Sequence, residues 1–182
     1  MAIRRPSCAG ITGPRVVLTD LRGRGESHKP QPGARLARYA KRTMSAAMRN
    51  VMRSLGHDRF AVVGHDHSAR VARRMALDHP EAVRRLVVMD IVPGLDFYDG
   101  LTAEIAQDSF YFSFVNQDHP IPETLIAGDP QALMRLILTG LSDAPVGYDP
   151  RAVEAYLAAA SPPEGVADIR ECFRPGYCID RE

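Results

Sequence analysis

Ala61-Val62-Val63-Gly64-His65-Asp66-His67-Ser68-Ala69-Arg70 is the stretch whose reading decides the fold. It begins as a short β-branched run, passes through a glycine and continues with helical spacing. Gly64 and Ser68 each stand two residues from a central position. That is the G-x-nucleophile-x-small pattern of a nucleophile elbow, where small flanking residues let the chain turn sharply from strand to helix. The apex is an acid, Asp66. A carboxylate there suits displacement at carbon with an ester intermediate, not acyl transfer, and the helix N-terminus behind it favours negative charge. Asp66 would also serve as an ordinary N-cap, because aspartate is a preferred capping residue. Ser68 lies beyond the apex, inside the helix, so a serine-hydrolase reading fails on position.

Residues 16–19 form a short apolar run ending at Asp20, followed by a loop rich in Gly, Arg and Pro up to Gly33. Over residues 34–55 the apolar positions Leu36, Tyr39, Met44, Met48, Val51 and Leu55 recur at helical spacing, and Gly56 supplies a stop. Residues 60–63 read as a buried strand, 67–78 as a helix with Val71, Ala72, Met75 and Ala76 inward, and 86–89 as a further strand ending at Asp90. Strands alternating with helices predict an α/β fold with a parallel sheet covered on both faces. Ligand sites on such sheets lie beyond the carboxyl ends of the strands, where Asp20, Gly64 and Asp90 fall.

After Pro93 no further strand is expected. Helical patterns at 101–115, 130–140, 150–160 and 165–173 alternate with Pro- and Gly-containing loops, the texture of a mostly helical cap. The expected organisation is an irregular leader over 1–14, a partial core over 15–93 and a cap segment over 94–182.

A formal net charge of +1, with 45% hydrophobic and 25% charged residues, is that of an ordinary globular protein. It gives no reason to expect nucleic acid or a membrane as partner. Three widely spaced cysteines, Cys8, Cys172 and Cys178, argue for reduced thiols and a cytoplasmic setting. His65-Asp66-His67 looks like part of a metal site. However, alternate residues on a turn diverge and no downstream histidine-rich motif completes a ligand set, so neither metal nor cofactor is expected.

Asp20-Leu21-Arg22-Gly23-Arg24-Gly25-Glu26-Ser27, Val63-Gly64-His65-Asp66, Ala69-Arg70, Ala76-Leu77-Asp78-His79-Pro80 and Asp90-Ile91-Val92-Pro93 closely resemble the haloacetate dehalogenases, within the α/β-hydrolase superfamily. The resemblance implies Asp66 as nucleophile on the halogen-bearing carbon and Asp90 as the acid that orients a water-activating histidine. The partners it implies are a haloacid, held through its carboxylate, and water. The family has arginines directly after the nucleophile and three residues later; here these places hold His67 and Arg70. Guanidinium binds carboxylate bidentately, which would offset repulsion between substrate and nucleophile.

The halide-site positions fall on Tyr111, Phe112 and Phe173, and the chain has no tryptophan. Phenylalanine donates no hydrogen bond, so defluorination asks more of this pocket than loss of chloride or bromide. Tyr111 could instead polarise an epoxide oxygen, which keeps epoxide hydrolysis open. The family's opening strands and His-Gly loop would precede residue 16, and its catalytic histidine would follow residue 182. The chain is therefore expected to be a central slice of the fold with weak or no turnover. Monomer and homodimer both stay open.

Overall fold

A computed structural model describes residues 3–4, 15–30, 36–140, 147–160, 172–176 and 179–180. Its centre is a parallel strand pair, β3 (Phe60–His65) and β4 (Val83–Met89), with register Ala61↔Arg85 through His65↔Met89 and an irregularity between Phe60 and Ala61. A parallel pair needs a crossover, which is helix α2 (His67–Asp78), with the bounds the apolar spacing predicts. Its buried side chains are Ala69, Val71, Ala72 and Met75.

Helix α1 (Lys41–Ser54) packs against α2, burying Met44 and Ser45. It begins after a 3₁₀ turn at Leu36–Arg38, so the predicted single helix over 34–55 is broken near Ala40. Gly56 ends it with φ 82°; Gly56 N–H donates to the Arg53 carbonyl and His57 N–H to that of Met52. This is a Schellman closure, in which a left-handed glycine returns two N–H groups to the last open carbonyls.

Two expectations need correction. Leu18–Thr19 (β2) pairs antiparallel with Ile3–Arg4 (β1) as a separate two-stranded sheet and does not join β3 and β4. Two residues of the expected leader occupy its ladder. Nor is the parallel pair covered on both faces: α2 packs against both strands, yet Val63, Leu86, Val87, Val88 and Met89 remain exposed. No described element lies over them.

Beyond Pro93 the described residues are helical, as expected: α3 (Gly94–Asp99), α4 (Ala103–Asp108), α5 (Phe110–Val115), α6 (Ile121–Gly128), α7 (Ala132–Arg135), a π-helical segment at Leu136–Gly140 and α8 (Pro150–Ala160). α3 and α6 lie where no helix is predicted. Of the 165–173 pattern only 172–173 fall among the described residues, inside a helical stretch over 172–176. Phe112, Val115, Ile126, Leu133 and Phe173 form a buried hydrophobic cluster. No helix among the described residues is long and apolar enough to cross a membrane.

Backbone approaches backbone closely at the crossing of β3 over α2. A Cβ on Gly64 would lie 2.5 Å from the Ser68 carbonyl oxygen and 2.6 Å from the Ala69 Cα, both backbone atoms. Backbone cannot swing aside as a flexible side chain can. Gly64→Ala is therefore expected to cost about 2 kcal/mol or more, read as a lower urea midpoint. A variant as stable as the parent would show that the crossing tolerates a methyl group.

Candidate functional site

Asp66 takes φ 49° and ψ −123°, and its side chain makes no capping hydrogen bond to α2. A non-glycine residue held at positive φ is strained, and such strain tends to persist where the surroundings over-determine it. Here they do. Asp66 N–H donates to the Met89 carbonyl (3.1 Å), while the Asp66 carbonyl accepts from Ala69 N–H (2.9 Å) and Arg70 N–H (3.2 Å). Ser68 closes the turn from inside: its Oγ accepts from His65 N–H (2.9 Å) and donates to the His65 carbonyl (2.7 Å). Ser68 is thus the brace of the elbow. Asp66 is left with a free carboxylate at its apex, and the bare N-cap alternative fails.

The bond from Asp66 to Met89 also places Asp90. Because His65 stands opposite Met89 in the parallel register, Asp66 and Asp90 leave neighbouring strand ends side by side. Asp90 shares the unusual backbone, with φ 52°. Its carboxylate lies 3.4 Å from His65 Nε2, and both side chains are exposed. The acid expected to orient an imidazole thus stands beside one, though it belongs to the residue before the apex.

Tyr111, on α5, faces the same two acids. Burial and then the negative charges of Asp66 and Asp90 raise its pKa, against a smaller opposing effect of Arg70. Its hydroxyl therefore keeps its proton and can donate. Phe112 and Phe173 are buried in the hydrophobic cluster, stacked edge to face at 5.0 Å. Their burial makes them packing residues first. What they contribute to the site is indirect: Phe112 lies under the Arg70 guanidinium, and Phe173 meets the His67 ring edge to face at 4.4 Å.

Arg70 sits one turn beyond Asp66 on α2, its guanidinium 5.9 Å from the Phe97 ring centroid and 5.6 Å from that of Phe112. Aromatic faces attract a cation but do not saturate its N–H donors, and Arg70 Nε is buried without an acceptor. His67 is further from its expected role. Both ring nitrogens are buried and unpartnered, although the residue keeps some exposed surface; the nitrogens decide its charge. Burial, then the charges of Lys41, Arg24 and Arg70, hold its pKa well below the ordinary histidine value. A neutral, enclosed imidazole does not replace an arginine as a carboxylate anchor. The His65-Asp66-His67 run also diverges as expected, His65 toward Asp90 and His67 toward Phe173.

Sequence reading missed a buried pair that holds this layer. Lys41 Nζ donates to the Cys172 carbonyl (3.1 Å) and lies 3.4 Å from Asp180 Oδ2, while Asp180 Oδ1 accepts the Lys41 N–H (2.9 Å). Asp180 thereby supplies the N-terminal cap that Ala40 cannot. Burial lowers the Lys41 pKa and the Asp180 charge opposes that shift. A signal was present: Lys41 stands on the same helical stripe as Met44, Met48 and Val51.

The chain matches the family described as the alpha/beta hydrolase fold over residues 6–133. It is 36% identical over 168 residues to a fluoroacetate dehalogenase of Burkholderia sp, covering 92% of this chain and 55% of that protein. To a soluble epoxide hydrolase of Corynebacterium sp. (strain C12) it is 29% identical, covering 92% of this chain and 58% of that protein. The solved structure of a Nostoc sp PCC 7120 protein assigned to the α/β hydrolases superposes with a TM-score of 0.87 at 37% identity, over 91% of this chain and 57% of that one. The chain thus spans about half the length of the relatives it matches.

The low pKa of His67 has a consequence for stability. Below about pH 6.5 an unfolded histidine binds a proton that the folded one refuses. The unfolded state then carries more protons, so stability falls with falling pH by up to about 1.4 kcal/mol per pH unit until the folded pKa is reached, and is fully present above pH 6.5. Asp78, whose pKa is lowered chiefly by its hydrogen bond from Arg74, acts in a separate window below its ordinary 3.8. Urea titrations at pH 7.0, 6.0 and 5.0 should show this slope, and His67→Gln should flatten it. An equal slope in the variant would rule out His67 as its source.

Proposed function

The chain belongs to the α/β-hydrolase family, and from that premise we propose that Asp66 is the nucleophile of a displacement at carbon, acting on a small haloacid. The observation that carries this reading is the strained, multiply fastened Asp66 backbone, with a carboxylate that caps nothing and stands beside Asp90. One carboxylate oxygen of Asp66 attacks the carbon bearing the halogen. The new C–O bond forms as the carbon–halogen bond breaks, and the halide leaves with the bonding pair. Arg70 is the cation assigned to the substrate carboxylate, since it lies one turn along α2 and lacks an acceptor. Chloride or bromide suits a site whose clearest neutral donor is Tyr111 better than fluoride does.

Completion requires water to attack the ester and a base to take its proton. Asp90 is the acid assigned to orient that base, and the imidazole beside it among the described residues is His65, held on the strand end. Formation of the ester is accordingly the step assigned to this chain. A second reading, epoxide opening, is favoured by one observation: the protonated Tyr111 hydroxyl shares its surroundings with Asp66 and Asp90. There Asp66 would attack an epoxide carbon while Tyr111 donates its proton to the oxygen that leaves.

Incubation with chloroacetate followed by peptide mass spectrometry should reveal a carboxymethyl ester on Asp66 and an equivalent of chloride released. Asp66→Ala should give neither. A small epoxide offered in parallel separates the readings, because its adduct should vanish in Tyr111→Phe, whereas the chloroacetate adduct should form more slowly there but persist. Absence of any adduct on Asp66 with either reagent would sink both.

A further inference from the structure

Between the N-terminal end of α1, the outer side of α2 and residues 91–94 lies a cavity of about 270 Å³. Its charged lining is Lys41, Arg42, Arg70, Arg73, Arg74 and Asp180. Asp66, Asp90 and Tyr111 are not among its lining residues. Three of the cations have carboxylate partners: Lys41 pairs with Asp180, and Arg42 and Arg74 share Asp78. Arg70 and Arg73 do not. Among the described residues neither guanidinium makes an ion pair, Arg70 Nε is buried without an acceptor, and the two stand three residues apart on one side of α2.

Two guanidinium groups lining one cavity repel one another, and the one carboxylate in its lining, Asp180, is already paired with Lys41. Water can serve an exposed arginine but not an enclosed Nε. An oxyanion in the cavity answers the charge deficit through the Nη groups, because guanidinium forks match phosphate and carboxylate oxygens in pairs. Two unpaired positive charges are better matched by a dianion than by a single carboxylate. We infer that this cavity is an anion site for a phosphate-like dianion, either free phosphate or the phosphoryl group of a small ester, separate from the Asp66 centre but sharing Arg70 with it. Arg73 belongs to this site alone. A ligand held there would draw the Arg70 guanidinium toward the cavity, so it would compete with any carboxylate that relies on Arg70.

The test is binding, not turnover, and so stands apart from the fate of the displacement reading. Inorganic phosphate is titrated into the full chain by calorimetry and by following the arginine Nε–H signals, with ionic strength held constant by sodium chloride. Glycerol phosphate is titrated in parallel to distinguish a phosphoryl ester from the free ion. Saturable binding at about 1 mM or tighter is expected, weakened about tenfold or more in Arg73→Gln and unchanged in Asp66→Ala. Arg73→Lys, which keeps the charge but loses the fork, should fall between and serves if the glutamine variant does not fold. Tighter binding of the ester than of phosphate would identify the phosphoryl group as ligand, and the reverse the free ion. No saturable binding of either, equal binding by sodium acetate, or undiminished binding by both Arg73 variants would overturn the site.

Discussion

The close crossing of β3 over α2 at Gly64 sets what the rest of the molecule can do. With no side chain at that point, the Ser68 and Ala69 backbone comes near enough that α2 starts almost directly on the strand end. The turn between them then has one residue at which to reverse, and Asp66 takes a left-handed backbone to do it. Such a conformation is unfavourable for a non-glycine residue, and it is held by hydrogen bonds at both ends, to Met89 in the next strand and to Ala69 and Arg70 in the helix. The bond to Met89 ties the elbow to the neighbouring strand end. Asp90 therefore cannot move independently of Asp66, and two carboxylates from separate strands are delivered to one place by backbone geometry alone.

Charge organises the layer behind the elbow. Lys41 is buried at the start of α1, and its pairing with Asp180 joins a helix near the start of the chain to a segment near its end. Removing one partner of a buried pair strands the other, so such pairs hold geometry even where their net contribution to stability is small. Burial, and then the charges of Lys41, Arg24 and Arg70, keep the His67 ring neutral. Arg70, for its part, is held by the faces of Phe97 and Phe112. The aromatic cluster thereby positions the helix α2 cation, which explains why Phe112 and Phe173 lie near the site while donating nothing to it.

Much of this was legible in the sequence, for identifiable reasons. Helix α2, the strand before it and Gly56 as a helix stop follow from side-chain periodicity and from the conformations glycine allows, which are local properties. The placement of Asp66 and Asp90 was legible because an elbow and a strand end are local too. The pairing of Leu18–Thr19 was not, because an isolated apolar run does not reveal its partner. The same holds for Lys41 and Asp180, which lie 139 residues apart, although a lysine on an apolar stripe was a visible anomaly. Arg73 lines a largely cationic cavity, a property of neighbouring elements that no spacing along α2 reports.

Burial and charge meet at His67. On the haloacid reading, the position after the nucleophile needs a cation to counter repulsion between two carboxylates, since charges that close interact strongly wherever water is scarce. A protonated His67 would supply that cation, but burial of its ring nitrogens, and then the cations around it, oppose protonation. Carboxylate recognition then falls to Arg70 alone, whose aromatic support fixes its place without consuming its hydrogen-bond donors. A substrate carrying no carboxylate would make no such demand. The exchange of a fixed positive charge for a neutral imidazole beside Asp66 therefore narrows the energetic advantage of a haloacid over an uncharged epoxide, and the chemistry of Tyr111 rather than of His67 becomes the feature that separates them.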